Sequence, residues 1–216
     1  MNREQVSAPP PHAFRDELQE ALRGLELGKI DVPEAALVKL QSFCVLLLKW
    51  NASLNLTGAR TLSDLLQEHL PDAFVLAHFA GACKTLVDVG SGGGLPALPL
   101  AILRPEVQVL LVEPRAKRVA FLRTAVRELD LPMVKVWCGR VEDLPAATEL
   151  SDAAVSRATF SPGEWVPIGA KAIRPHGRVF ALLNDRWDQE SLGGVSCVGT
   201  YQYALQRGQQ RTLAWF

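Results

Sequence analysis

Apolar residues recur at helical spacing through the first third of the chain, at Phe14, Leu18, Ala21, Leu22 and Leu25 and again at Ala36, Leu37, Leu40, Phe43, Leu47 and Trp50. A repeat of three to four residues marks a helix that buries one face, so two amphipathic helices are expected here. A third is expected over about Leu62 to Phe79, opened by Thr61 or Ser63 as the capping residue. From Lys84 the pattern changes. Short apolar runs at Thr85–Val89, Val107–Val112, Val134–Trp137, Ala153–Ser156 and Arg178–Leu183 alternate with helix-length stretches at Pro96–Leu103, Ala116–Leu129 and Pro162–Ile173. Such alternation folds as a mostly parallel sheet with helices on its faces, and ligands bind beyond the carboxyl ends of the strands. Two more strand-like runs flank Gly208 in Ser196–Phe216 and fit an antiparallel pair at a sheet edge. The expected organisation is a proline-rich disordered arm over residues 1–12, a helical extension over 13–80 and an α/β domain over 81–216.

Composition narrows the setting. At 216 residues, 48% hydrophobic and 21% charged, the chain is long and apolar enough for a well-buried core. Its strongly apolar runs fall short of the roughly 20 residues that cross a bilayer, so no membrane span is expected. The first residues contain no apolar core followed by a small-residue cleavage site, which points to the cytoplasm. Cys44, Cys83, Cys138 and Cys197 are isolated from one another, with no histidine at metal-ligand spacing. They read as small buried thiols, and no metal is expected. Basic and acidic residues are equal at 23 each, which excludes a diffuse basic surface. Any RNA contact must come from a local patch.

The candidate chemistry lies where the first strand ends, in Asp88-Val89-Gly90-Ser91-Gly92-Gly93-Gly94-Leu95-Pro96. Glycines there let the backbone turn sharply and approach a ligand closely, and amides at a following helix start face an anionic group. The next strand closes on Glu113, 25 residues beyond Asp88, a group able to accept both hydroxyls of a ribose. NAD and S-adenosylmethionine both fit that outline. The dinucleotide fingerprint wants a third glycine where this chain has Leu95, which disfavours NAD. The spacing of Asp88, Gly90, Gly92 and Gly94 resembles instead the first motif of class I methyltransferases, in which the cofactor's methionine moiety packs over the glycine loop. That resemblance implies adenine recognition at Arg140-Val141-Glu142-Asp143.

Further stretches extend the likeness: Lys49-Trp50-Asn51, Asn55-Leu56-Thr57, Arg60, His69 and Asp72, then Lys117-Arg118 with Phe121-Leu122-Arg123, Gly139-Arg140-Val141-Glu142, Ser156-Arg157-Ala158 and the closing Arg211-x-Leu213. In order and spacing they resemble the RsmG (GidB) family, bacterial methyltransferases that modify N7 of one guanosine in small-subunit ribosomal RNA. The resemblance implies a class I Rossmann-like fold, S-adenosyl-L-methionine as cofactor, and small-subunit RNA or the subunit itself as partner. Cofactor contacts are implied for Gly90, Leu95, Val141, Glu142 and Arg157, with Glu113 in the ribose position. The chain departs from the family where Leu183-Asn184 replaces the basic residue and glycine that commonly follow the fifth strand.

Guanine N7 carries an exposed lone pair and no proton, so transfer needs no general base and rests on proximity and orientation. The one catalytic role is assigned to Arg157, placed to reach both cofactor and base. The segment Arg115–Arg127 carries five basic residues and no acidic one. Lys117, Arg118 and Arg123, with Arg60, Arg140 and Asn55, are the candidate RNA contacts, and Trp50 is a candidate for stacking on a base. Two alternatives remain, a class I methyltransferase acting on a small molecule or protein and a noncatalytic RNA-binding protein on the same fold.

Overall fold

The computed structural model describes residues 9–28, 30–145, 148–185, 187, 191–192 and 194–216. The first eight residues of the expected arm lie outside that range, and helix α1 (Pro11–Leu22) begins inside its last two positions. Helix α2 (Glu34–Leu54) follows, with Asn55 as its left-handed C-cap at φ 49°. The 21 residues of α2 are long and apolar enough to cross a membrane by length and composition, a property that a count of contiguous apolar runs overlooks. In the fold, half of its most apolar window is buried, and the helix packs against α1 and two helices of the sheet domain.

The expected third helix is interrupted. Thr61 caps a single turn, α3 (Leu62–Asp64), through a capping box in which its hydroxyl accepts from the Asp64 amide and the Asp64 carboxylate accepts from the Thr61 amide. A π-helical turn over Leu65–His69 then leads into α4 (Leu70–Phe79). His69 leaves helical geometry at φ −122°, two residues before Pro71, whose missing amide cannot continue the hydrogen-bond ladder. Breaks of this kind often sit at functional sites.

Strands β1 (Thr85–Val89), β2 (Gln108–Glu113), β3 (Val134–Cys138), β4 (Ser151–Ser156) and β5 (Ile173–Leu183) run parallel. Helices α5 (Ala97–Leu103), α6 (Ala116–Glu128) and α7 (Pro162–Ala170) connect them, and strands β6 (Ser191–Leu192) and β7 (Val195–Ser196) form a small separate ribbon. Strands β8 (Gly199–Ala204) and β9 (Gln210–Trp215) complete a seven-stranded sheet in the order β3-β2-β1-β4-β5-β9-β8, antiparallel at the β5, β9 and β8 edge. The class I methyltransferase architecture, with its antiparallel edge and amino-terminal helices, is the one expected. β5 begins five residues earlier than the apolar pattern suggested, because its polar first half is paired with Ser151 across a register irregularity.

Alternation along the strands splits the interior. Val109 and Leu111 of β2 face one core with residues from α1, α2, α5 and α6, while Val112 faces a second core built around Trp165 and Val166 of α7. The first core runs from Phe14 to Leu213, so the helical extension shares its interior with the sheet. Of the four cysteines only Cys44 is buried, where burial pushes its thiol well up, and Cys138 is exposed at the end of β3. The expectation of four buried thiols is therefore corrected: Cys138 ends an outer strand of the sheet, where its side chain stays open to solvent.

Candidate active site

Strand β1 is flanked by β2 on one side and β4 on the other, so the chain order reverses at the β1/β4 gap and opens a crevice at the carboxyl ends of these strands. The glycine loop lies on one wall. Gly90 (φ 78°), Gly92 (φ 52°) and Gly94 (φ 77°) all take left-handed backbone conformations. A Cβ at Gly90 would sit 2.2 Å from Thr159 Oγ1, and one at Gly94 would sit 2.4 Å from Leu98 Cδ1, so these positions are closed to larger residues by their neighbours as well as by φ.

Glu113 holds the loop in place. It is 2% exposed, one carboxylate oxygen accepts from the Gly92 amide at 2.9 Å, and the other accepts from the Arg115 amide at 2.9 Å. Arg118 approaches to 3.9 Å. Two acceptor positions are thereby used within the protein, and the remaining lone pairs are what the side chain has to offer a ribose.

Asp88 is 1% exposed, and neither carboxylate oxygen has a hydrogen-bond partner among the described residues. Burial, reinforced by the nearby Glu113, pushes its carboxyl up to about 7 against the opposing pull of Ser91 and Arg157. A buried, unpaired carboxylate beside a loop of left-handed glycines is an acceptor suited to a cationic donor.

The opposite wall is Arg157, just past β4. Its Nε lies 3.2 Å from Asp72 Oδ2, and a terminal nitrogen contacts His69 Nδ1. Asp72 is 1% exposed, and its other oxygen accepts from the Tyr203 hydroxyl of β8 at 2.6 Å. Burial, with the Arg157 and Arg211 cations beside it, pushes His69 down to about 3, so the ring is neutral. An arginine only donates, so Nδ1 accepts from Arg157 and the proton sits on Nε2, which donates to Thr57 Oγ1 at 3.2 Å. Thr57 is itself fixed by Asn51, which accepts from its amide at 2.9 Å and donates to the Ala59 carbonyl at 2.9 Å.

A cavity of about 310 Å³ between these walls is lined by Asn55, Thr57, His69, Gly90, Gly92 and Leu95, with Arg118 and Arg157. Of the residues singled out from sequence, Asn55, Gly90, Gly92, Leu95, Arg118 and Arg157 meet at this cavity. Val141 and Glu142 lie apart from it, on a 3-10 turn (Val141–Asp143) that borders a separate apolar cavity of about 300 Å³ with Val87 and Leu110. Of the candidate RNA contacts, Arg60, Lys117, Arg123 and Arg140 are exposed, whereas Arg118 turns inward. Trp50 is half-buried, its ring 5.8 Å from Phe121 at a 59° tilt.

The model of the family described as rRNA small subunit methyltransferase G (GidB) matches residues 36–194. The chain belongs to that family. A ribosomal RNA small subunit methyltransferase G from Anaeromyxobacter sp. (strain Fw109-5) is 35% identical over 203 residues, covering 89% of this chain and 94% of the relative. Another from Anaeromyxobacter dehalogenans (strain 2CP-1 / ATCC BAA-258) is 40% identical over 190 residues, covering 84% and 88%. In fold the chain is similar to the O-methyltransferase TomG from Streptomyces achromogenes, solved in complex with SAM, with a TM-score of 0.57 at 17% identity over 86% of this chain and 90% of that one.

As a rRNA small subunit methyltransferase G family member the protein is an enzyme whose cofactor is S-adenosylmethionine. The residues present fit it: the unpaired Asp88 carboxylate suits the ammonium of its methionine end, and the open space over Gly92, where an added Cβ would meet nothing nearer than 3.5 Å, suits its passage over the loop. His69, Asp72, Thr57 and Tyr203 complete the site and were not assigned roles from sequence. Thr57, His69 and Asp72 stood in stretches that carry the family resemblance, and Pro71 breaks the helix between His69 and Asp72, whereas nothing in the sequence pointed to Tyr203.

Proposed function

We propose that this protein transfers a methyl group from S-adenosylmethionine to N7 of a guanosine in 16S ribosomal RNA, in the cytoplasm. The observation that carries the reading is Arg157, held by Asp72 and His69 across the crevice from the glycine loop in a chain of this family. When bound, the cofactor supplies an electrophilic methyl on a sulfonium. Asp88, Glu113 and the Gly90–Leu95 loop hold it, with Val141 and Glu142 assigned to the adenine.

The site's protons are consistent with an acceptor that needs no deprotonation. His69 has its basic nitrogen occupied by Arg157 and its proton directed at Thr57, so it is not free to act as a base. Arg157 serves instead as a fixed cation that orients the acceptor. Arg60, Lys117, Arg123 and Arg140, all exposed, supply phosphate contacts on a chain with no net charge.

The test is incubation with methyl-labelled cofactor and either small ribosomal subunits or protein-free 16S RNA, followed by nuclease digestion and mass analysis. The reading expects 7-methylguanosine from at least one substrate. Label in neither, or label on another atom, would overturn it.

A further inference from the structure

Arg157 lines two cavities. The second, about 640 Å³, opens beyond the carboxyl ends of β4 and β5, and its walls include Phe160, Asn184, Asp185, Trp187 and Arg211, none of which has a part in holding the cofactor. Two aromatic rings bound it, and each is braced by another. Phe160 stacks on Trp165 with centroids 6.1 Å apart, and Trp187 meets Phe216 edge-on at 5.6 Å. Rings fixed in this way present stacking surfaces with little further ordering to lose.

The polar groups have a definite sense. Arg211 of β9 lines the cavity and donates through one terminal nitrogen to the Asn184 side-chain oxygen. Asp185 is exposed beside it, and its main chain is pinned by Thr212, whose hydroxyl donates to the Asp185 carbonyl at 2.8 Å. The second terminal nitrogen of Arg211 has no hydrogen bond among the described residues, so this wall carries a guanidinium donor and a carboxylate able to take two donors. Guanine presents that complement along one edge, with O6 accepting and N1–H and the N2 amino group donating. Adenine presents a donor and an acceptor in the reverse order.

We propose that this cavity receives the target guanine, extruded from the RNA, with Phe160 and Trp187 stacking on the base, Arg211 donating to O6 and Asp185 accepting from N1–H and the N2 amino group. This assignment rests on the guanine-N7 reading above and adds the base-recognition site to it. N7 neighbours O6 on the purine, so a base held by that edge presents N7 on the Arg211 side of the cavity, whose wall also carries Arg157 of the cofactor crevice.

The test compares wild type with Asp185→Asn and Trp187→Leu in methylation of small subunits, alongside calorimetric S-adenosylmethionine affinity and thermal unfolding. Both variants are expected to lose at least tenfold in kcat/KM for small subunits with cofactor affinity unchanged. The Asp185→Asn result is diagnostic, because removing a negative charge from a surface that meets a polyanion strengthens nonspecific binding, so a loss runs against simple electrostatics. Asp185 is exposed, so this variant keeps the test valid should Trp187→Leu fail to fold. An Asp185→Asn protein with wild-type kcat/KM would overturn the base pocket while leaving the N7 reading intact. A wild-type protein that forms no 7-methylguanosine would overturn both.

Discussion

Arg157 at the end of β4 faces Asp72 of α4 at 3.2 Å, an ion pair in which the carboxylate is 1% exposed and the guanidinium side chain 14%. The pair joins the amino-terminal helices to the catalytic edge of the sheet, and Tyr203 adds a third element by donating to the same carboxylate. Removing one member of such a pair leaves a buried charge uncompensated. Asp72→Ala is therefore expected to lower the unfolding free energy by about 3 to 5 kcal/mol, read from urea denaturation. A decrease of under about 1 kcal/mol would mean that the crevice lets water replace the carboxylate.

Arg157→Lys is expected to lower kcat far more than it changes RNA affinity, and to rescue little relative to Arg157→Ala. A lysine carries the charge, but it cannot reach Asp72 and His69 simultaneously through a planar fork. Single-turnover methylation together with filter binding of RNA separates the two effects.

Asp88 gives the site a pH dependence with a definite sign. Its carboxyl rises from an ordinary value of about 3.9 to about 7 in the fold. Between those values the unfolded chain has lost a proton that the folded chain keeps. Its contribution to stability is thus full below about pH 4, declines as pH rises, and is gone above about 7. An ammonium placed against Asp88 reverses the preference, so cofactor binding near about pH 6.5 should release a proton. Calorimetry in two buffers of different ionisation heat measures that release, and Asp88→Asn should abolish it.

The glycine loop should respond unevenly to single methyl groups. Gly90→Ala combines φ 78° with a Cβ 2.2 Å from Thr159 Oγ1, whereas the nearest atom to a Cβ at Gly92 is Arg118 at 3.5 Å. Gly90→Ala should therefore lose at least tenfold in cofactor affinity. Gly92→Ala meets no close neighbour and carries only the left-handed backbone cost, about 1 to 2 kcal/mol of stability, so it should lose less than tenfold in cofactor affinity. Equal losses in titration calorimetry would argue that the loop moves as one piece.

RNA affinity should depend on the exposed face of α6. Lys117→Ala with Arg123→Ala is expected to reduce the log-log salt slope of small-subunit RNA binding by about 0.7 to 0.9 for every phosphate no longer neutralised, with kcat nearly unchanged. Arg118 does not belong in that test, because it lies against Glu113 inside the crevice. An unchanged slope would move the RNA path to another face.

The sheet, its helices and the glycine loop were legible because strand and helix periods are local properties, and Asp88, Glu113 and Arg157 occupy strand ends that the pattern locates. What escaped was set by distance along the chain or by competition. Asp72 and Tyr203 are 131 positions apart, and nothing near either residue announces the other. The five-residue π-helical turn at Leu65–His69 was hidden by an apolar repeat that continues through it, Pro71 being its only mark. Arg118 shares a helix and a charge with Lys117, yet one turns to a buried carboxylate and the other to solvent, a choice made by the position of Glu113.

Strand β9 lies between β5 and β8, although β8 precedes it in the chain. Among the described residues β8 is hydrogen-bonded into the sheet through β9 alone, while its tyrosines reach the amino-terminal helices, Tyr201 to Leu25 and Tyr203 to Asp72. A chain cut before Gln210 would lose β9 by deletion and leave β8 with no backbone partner in the sheet, so Tyr203 would hold Asp72 from an unpaired strand. During synthesis the same constraint applies. β8 cannot join the sheet until residues 210–215 have cleared the exit tunnel, long after the glycine loop and its strands have emerged, so the Tyr203 end of the crevice is the last to be fixed in the sheet.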